Sequence, residues 1–345
     1  MKLLICTQIV DSTDSNLGFF HDWIAEFAKH CEQVTVICLK KGAYALPSNV
    51  RVLSLGKEEG TSKFTRMVRF YKYIFGYRSD YDAVFVHMNP EYVLMGVFLW
   101  RRWGKPVSLW YAHKSVTWKL RQAVRQVTRV FSVSDASFMV PTPKLVAVGH
   151  GIDTELFKPH IREDSTRLRL VTAGRIAESK HLVEMLDMLD ILHARGEKFT
   201  FTIIGAATTP EEGVYAEQLK AEVARRPYSA NVHMQGAVAH QDLPALLNAQ
   251  DMFLNFGTTG NMDKAGLEAL ACGVPLLATN EAFAPLLSLY GLYVESGRSE
   301  DAADALQNFM NRPDQSACVA TLRNKVVEQH SLAKLIPRIL MLLAR

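Results

Sequence analysis

Cysteine is scarce in this sequence: five occur in 345 residues (Cys6, Cys31, Cys38, Cys272, Cys318). The number is odd and no two form a CxxC pair, so neither a disulfide framework nor a structural zinc site is expected, and a reducing cytoplasmic setting is. No His/Cys/Asp cluster has metal-ligand spacing, so no metal site is expected. The longest uninterrupted apolar run is YVLMGVFLW, residues 92–100. That is half of the roughly 20 residues needed to span a bilayer, so no transmembrane helix is expected. The opening MKLLICTQIVD soon meets Asp11 and Asp14 and reads as a buried first strand rather than a signal peptide. The stretch after it, DSTDSNLGFF, lacks GxGxxG, which leaves a dinucleotide cofactor poorly supported. No Ser-centred nucleophile elbow, solenoid repeat or low-complexity tract occurs.

What remains is an ordinary globular composition, 48% hydrophobic and 21% charged, at a length that implies two domains. Charge is unevenly spread. Residues 1–158 hold 21 Lys and Arg against 13 Asp and Glu, whereas the rest holds 18 against 22. All five tryptophans (Trp23, Trp100, Trp103, Trp110, Trp118) also lie in the first part. The two halves therefore have different tasks or different neighbours.

In both halves, short β-branched strands such as VTVICL, DAVFVHM, RLRLVTAG and FTFTIIG alternate with stretches of helical periodicity. Such alternation implies parallel sheets wrapped by helices. The polar segment GHGIDTELFKPHIREDST separates the halves. The expected architecture is α/β: two facing doubly wound Rossmann-like domains, over residues 1–158 and 159–330, with a cleft between them. A C-terminal helix over 331–345, SLAKLIPRILMLLAR, is apolar enough to pack back across the junction. Ligands of such sheets bind outside the carboxyl ends of the strands.

Four places there carry candidate chemistry. After the first strand of the second half, AGRIAESKH puts Arg175 and Lys180 in a short loop. There they are either solvated surface cations or, as a guanidinium fork and a point charge, a cradle for a diphosphate. In TTGNMDKAGLEALACGVP, Asn261 or Asp263 can cap a helix that Gly273 ends, and its N-terminus favours an anion. Glu268 lies inside that apolar helix, either on a solvated face or as an acceptor for a vicinal diol such as a ribose. Gly18 sits where the first strand gives way to a helix, either as a plain turn or with backbone N–H groups that could meet a phosphate. His87 and His113 end strands of the first half, where an edge residue and a site residue look alike.

Three motifs resemble the retaining, nucleotide-sugar-dependent glycosyltransferases of family 4, with the GT-B fold. VGHGIDTELFKP is similar to the family's interdomain signature, AGRIAESKHLVEML to its Gly-Arg…Lys loop, and LEALACGVPLLATN to its Glu-containing helix and following strand. The resemblance covers nearly the whole chain. It implies that Arg175 and Lys180 bind the donor diphosphate and stabilise the leaving group, and that Glu268 holds the ribose hydroxyls. It implies that Gly18 lies over the phosphates, that His113 lies near donor sugar and acceptor, and that the loop at Gly236 and Val238 holds the base. The family's first Glu would stand at Gly260, where this chain has no carboxylate. Asp263, or the backbone amides of residues 261–265, Asn261 and Lys264 among them, are the expected substitutes.

The expected reaction moves a sugar with retention from a UDP- or GDP-linked donor to an acceptor hydroxyl, with no further cofactor and no metal. The expected acceptor is a glycan or lipid-linked molecule of the cell envelope. The helical stretch KFTRMVRFYKYIFGYR sets Phe64, Met67, Val68, Tyr71, Ile74 and Phe75 on one face and Arg66, Arg69 and Lys72 towards another. It is either a core-packed helix or one that rests on an anionic membrane from the cytoplasmic side. Nucleic acid is not an expected partner. Two alternatives share the architecture: a nucleotide-sugar epimerase, and an inactive nucleotide-sugar-binding subunit.

Overall fold

The computed structural model describes residues 1–14, 17–162, 165–258, 260, 262–295 and 297–343. The chain forms two compact units, Met1–Asp153 with Gln329–Arg345, and Thr154–Glu328.

The first unit contains β1 (Lys2–Val10), α1 (Phe19–His30), β2 (Gln33–Lys41), β3 (Val50–Ser54), α2 (Lys63–Gly76), β4 (Ala83–His87), α3 (Pro90–Arg102), β5 (Val107–Trp110), α4 (Trp118–Gln126), β6 (Arg129–Ser132) and β7 (Leu145–Ala147). The seven strands pair in parallel in the order β3-β2-β1-β4-β5-β6-β7. Both faces of the sheet are covered, so central strands such as β4 are buried at every residue and read as apolar runs rather than alternations. One face packs Trp23 and Phe27 of α1 on Leu3, Ile5 and Phe85. The other packs Phe70, Ile74, Trp100 and Leu120 on Leu4, Val84 and Val86.

The second unit contains β8 (Leu168–Ala173), α5 (Leu182–Ala194), β9 (Phe199–Ile204), α6 (Pro210–Arg225), β10 (Val232–Gly236), α7 (Leu243–Asn248), β11 (Met252–Asn255), α8 (Lys264–Ala271), β12 (Leu276–Ala278), α9 (Ala284–Leu287), α10 (Ser299–Met310) and α11 (Gln315–His330). Its strands are also parallel, in the order β10-β9-β8-β11-β12. The chain then supplies α12 (Leu332–Leu343), whose Leu335, Ile336 and Ile339 join the α1 face of the first unit.

In both sheets the strand order reverses beside the first strand, between β1 and β4 and between β8 and β11. Such a switch point splays the following loops apart and opens a crevice at the carboxyl ends.

The glycines of GHGID have a physical reason. Gly149 and Gly151 adopt φ of +89° and +67°. A β-carbon at Gly149 would lie 2.1 Å from the Gln329 carbonyl oxygen, and one at Gly151 2.3 Å from the Trp23 ring. Trp23 Nε1 donates to Gly151 O at 3.1 Å. Next along, Ile152 N donates to His330 O and Leu332 N to Ile152 O, both at 2.7 Å. A parallel bridge between Ile152 and Ser331 therefore ties the two ends of the excursion into the second unit.

Helix α2 differs from the periodicity reading. It buries Phe70 and Ile74 and leaves Phe64, Met67, Val68 and Phe75 exposed. Phe70 stacks on Tyr92 and meets Trp100 edge-on, so a ring outside the expected stripe is the one that docks. The five cysteines are free and buried. Among the described residues no helix is long and apolar enough to cross a membrane.

Candidate functional site

The second unit's switch point gathers the loops after β8 and β11. Thr258 N donates to Ser179 O at 3.2 Å, and the His181 ring meets Thr258 Oγ1 at 3.0 Å. Gly257 lies in the same seam, where a β-carbon would sit at ordinary contact distance, 3.4 Å from Asp263 Oδ2 and 3.5 Å from Ser179 O. Across this seam Lys180 Nζ donates to Asp263 Oδ2 at 2.8 Å. Asn255, the last residue of β11, donates to the same oxygen at 2.7 Å. Asn255 is buried, and its own Oδ1 has no hydrogen-bond partner among the described residues.

Asp263 stands at the N-cap of α8 but makes no side-chain cap bond. The expectation that it caps the helix is thus corrected: its carboxylate is drawn to Lys180 and Asn255 instead. Gly260 has φ of +62°, a backbone region that favours glycine over a carboxylate-bearing residue. Asn261 lies outside the described residues.

Glu268 is 3% exposed, so it is not on a solvated face. An unpaired carboxylate so deep would cost several kcal/mol. His240 Nε2 donates to Oε1 at 2.8 Å and Lys264 Nζ lies 3.4 Å from the same oxygen. Burial pushes the Glu268 carboxyl up. Lys264, one helical turn away, and the His240 bond outweigh that and leave it below the usual carboxylate range. Glu268 is therefore a buried, charged and anchored acceptor.

Arg175 is not drawn to Lys180. Its Nη1 meets Glu212 Oε1 at 2.6 Å near the start of α6. Glu212 also accepts from Thr208 N and Oγ1 at 2.7 and 2.6 Å. Those Thr208 bonds, with Arg175 behind them, hold its carboxyl below the ordinary range. Gly236 ends β10 with φ of +77°, its carbonyl accepting from Gly205 N at 2.8 Å, and Val238 is half-buried in the loop that leads to His240.

In the first unit, Gly18 precedes α1 in ordinary right-handed backbone, and its N–H donates to Asp14 O at 2.9 Å. The Gly18 N–H is thus bonded within its own loop rather than pointing free. A β-carbon there would lie 2.5 Å from Asp14 O, which explains the glycine. His113 is exposed beyond β5. Its Nδ1 accepts from Ser115 N at 2.9 Å, so the neutral ring carries its proton on Nε2. His87 is 2% exposed, stacks on Phe20 at 3.8 Å and meets Thr7 Oγ1 at 3.2 Å, the environment of a core histidine. Among the described residues no group of three or more His, Cys, Asp or Glu is placed to hold a metal ion.

His240, Asn255 and Glu212 were not singled out in the sequence. His240 had a usable signal, since it lies four residues past a strand-ending glycine, at a carboxyl end like His113. Glu212 and Asn255 had none, because only the packing of loops makes them neighbours of Arg175 and Asp263.

Two parallel-sheet Rossmann-like units with this loop constellation define the GT-B class of folds. Anabaena HepE, solved in complex with UDP and glucose, is similar over 100% of this chain and 99% of its own, with a TM-score of 0.76 at 17% identity. The chain belongs to the glycosyl transferases group 1 family, which it matches over residues 153–328. Amylovoran biosynthesis glycosyltransferase AmsK of Erwinia amylovora is 28% identical over 154 residues, 43% of this chain and 36% of AmsK. The chain thus spans little more than a third of that relative's length. Lipopolysaccharide core biosynthesis mannosyltransferase LpsB of Rhizobium meliloti is 25% identical over 288 residues, 69% of this chain and 81% of LpsB.

Proposed function

We propose that this chain is a retaining glycosyltransferase of family 4. It would transfer a sugar from a UDP- or GDP-linked donor to a hydroxyl of a glycan or lipid-linked acceptor in cell-envelope or surface-polysaccharide synthesis. The observation that carries the reading is the meeting of Lys180, Asp263, Lys264, Glu268 and His240 at the β8/β11 switch point. The relatives AmsK and LpsB act in amylovoran and lipopolysaccharide core biosynthesis, which supports that choice of acceptor.

The roles follow from charge and geometry. The difficult event is departure of the nucleoside diphosphate. Lys180, Lys264 and the N-terminus of α8 supply positive potential at one place, and Arg175 joins them by exchanging Glu212 for phosphate. That set of cations is the ground for proposing metal-independent transfer. Glu268, held through Oε1, would accept from the ribose hydroxyls through its other oxygen. The loop of Gly236 and Val238 would hold the base through backbone groups. Asp263 is the fixed partner of Lys180, so the donor sugar is left to backbone amides beyond Gly260 and to Asn255 Oδ1. On the first unit, His113 would turn Nε2–H towards the acceptor.

The exposed face of α2, with Phe64, Met67, Val68 and Phe75 beside Lys63, Arg66 and Lys72, supports contact with an anionic membrane surface. Flotation with anionic vesicles tests this part, and a chain that stays at the bottom of the gradient defeats it.

Gly260 favours a second reading, a nucleotide-sugar-binding subunit without transfer. A panel of nucleotide sugars, screened by thermal shift and then by transfer or donor hydrolysis, separates the two. The transferase reading requires turnover that collapses in Arg175→Ala and Glu268→Ala. Binding without turnover selects the second reading.

A further inference from the structure

The first unit holds a cavity of about 400 Å³ between the starts of α2 and α3. Its lining is almost wholly apolar: Leu39 of β2, Leu55 just past β3, Met67 of α2, and Tyr92 and Met95 of α3. Such a volume suits one small ligand rather than a folded partner.

Its mouth is cationic. Lys63 and Arg66 lie three residues apart on α2, on one face of the helix. Among the described residues neither forms an ion pair. Arg66 Nε donates to Ser62 O at 3.3 Å. The one acid at the mouth, Glu91, is paired with Lys119 Nζ at 2.9 Å. The first turn of α2 carries these two cations and no acid, although the positive end of the helix dipole disfavours cations there. An anion at the mouth would offset both the dipole and the paired charges.

The cavity also continues the exposed apolar face. Met67 is a wall residue yet 42% exposed, beside Phe64 at 69% and Val68 at 49%. A chain could pass from a membrane over these side chains into the cavity without crossing water. Finally, the cavity lies at the carboxyl edge of the sheet, past β2, β3 and β4, the edge from which His113 follows β5.

We propose that this cavity binds the apolar tail of the acceptor lipid, a single alkyl or prenyl chain whose phosphate rests on Lys63 and Arg66. The proposal rests on the transferase reading for calling that lipid the acceptor. It would make the substrate a chain-bearing phosphate ester, held by its tail on the first unit while its sugar end extends towards His113.

Titration calorimetry of the full chain with dodecyl phosphate, below its micellar concentration, tests this. One saturable site is expected. Dodecyl maltoside and inorganic phosphate are each expected to bind at least tenfold more weakly, since each lacks one half of the recognition. Met95→Trp, which fills the cavity, should abolish binding, and Lys63→Gln with Arg66→Gln should weaken it at least tenfold. Met67→Glu, at an exposed position, repeats the test at the mouth if the tryptophan variant melts abnormally. Equal binding by a normally folded Met95→Trp or Met67→Glu, or by dodecyl maltoside, overturns the proposal. A nucleotide-sugar thermal shift on the same samples keeps the two readings apart. Donor shifts without dodecyl phosphate binding overturn the cavity alone. Dodecyl phosphate binding without any donor shift keeps the cavity as an amphiphile site and overturns its assignment to an acceptor.

Discussion

His240 Nε2 lies 2.8 Å from Glu268 Oε1 and joins the loop after β10 to the buried middle of α8. A hydrogen bond to a charged group contributes about 1.5–3 kcal/mol. His240→Ala should therefore weaken donor binding about tenfold to hundredfold. The change should appear mainly in KM, because the bond orients a ground-state contact. His240→Ala combined with Glu268→Ala should be little worse than Glu268→Ala alone. Additive losses in steady-state kinetics would show that His240 acts elsewhere.

Lys180 and Asp263 form the second such pair. Lys180→Ala removes a charge aimed at the leaving group and should lower kcat by about a hundredfold or more. Asp263→Asn keeps the cation and removes only its anchor, so its loss in kcat should be clearly smaller. Single-turnover rates with saturating donor decide, and equal losses would give Asp263 a direct part in holding the donor sugar.

Gly151 is a test of the fold rather than the site. Alanine there must hold φ near +67° and push against Trp23. Left-handed backbone costs an L-residue about 1–2 kcal/mol and overpacking about 1–3 kcal/mol. Urea denaturation of Gly151→Ala should show a loss of roughly 2–5 kcal/mol, while Gly60→Ala, whose β-carbon meets nothing within 4 Å, should lose only the backbone part.

His330 gives the pH dependence. Burial lowers its pKa to about 4 from an ordinary 6.5, and its Nδ1 accepts from His150 N at 3.2 Å. The depressed pKa means that the unfolded chain binds the proton first. Stability from this group is complete above pH 6.5 and is lost as pH falls towards 4, by about 3 kcal/mol. His330→Asn, which keeps an acceptor near the same place, should flatten that part of the stability–pH curve measured by denaturant titration.

Strand and helix alternation was legible because buried parallel strands such as AVFVH have no polar partner face to blur them. The loops of Arg175, Lys180 and Glu268 were legible because they follow strands. The stretch from Ala284 to His330 was left unread, and it supplies α9, α10 and α11. Two details were not legible in the sequence, for tertiary reasons. In α2 two apolar stripes compete, and only the rings of Tyr92 and Trp100 decide that Phe70 turns inward. Arg175 looked like a partner of Lys180, but Glu212, 37 residues on, holds it at 2.6 Å.

The place of α12 bears on synthesis. Trp23, Ile24 and Phe27 of α1 share their core with Leu335, Ile336 and Ile339, so α1 is sealed by a helix that is made only after the whole second unit. Until α12 follows residues 154–328, the first unit has a bare apolar flank, whereas the second unit has all of its own residues. The nascent chain should therefore mature out of order, the later unit before the earlier. A chain stalled before Leu332 should expose the α1 flank to chaperones and proteases while its second unit remains protected.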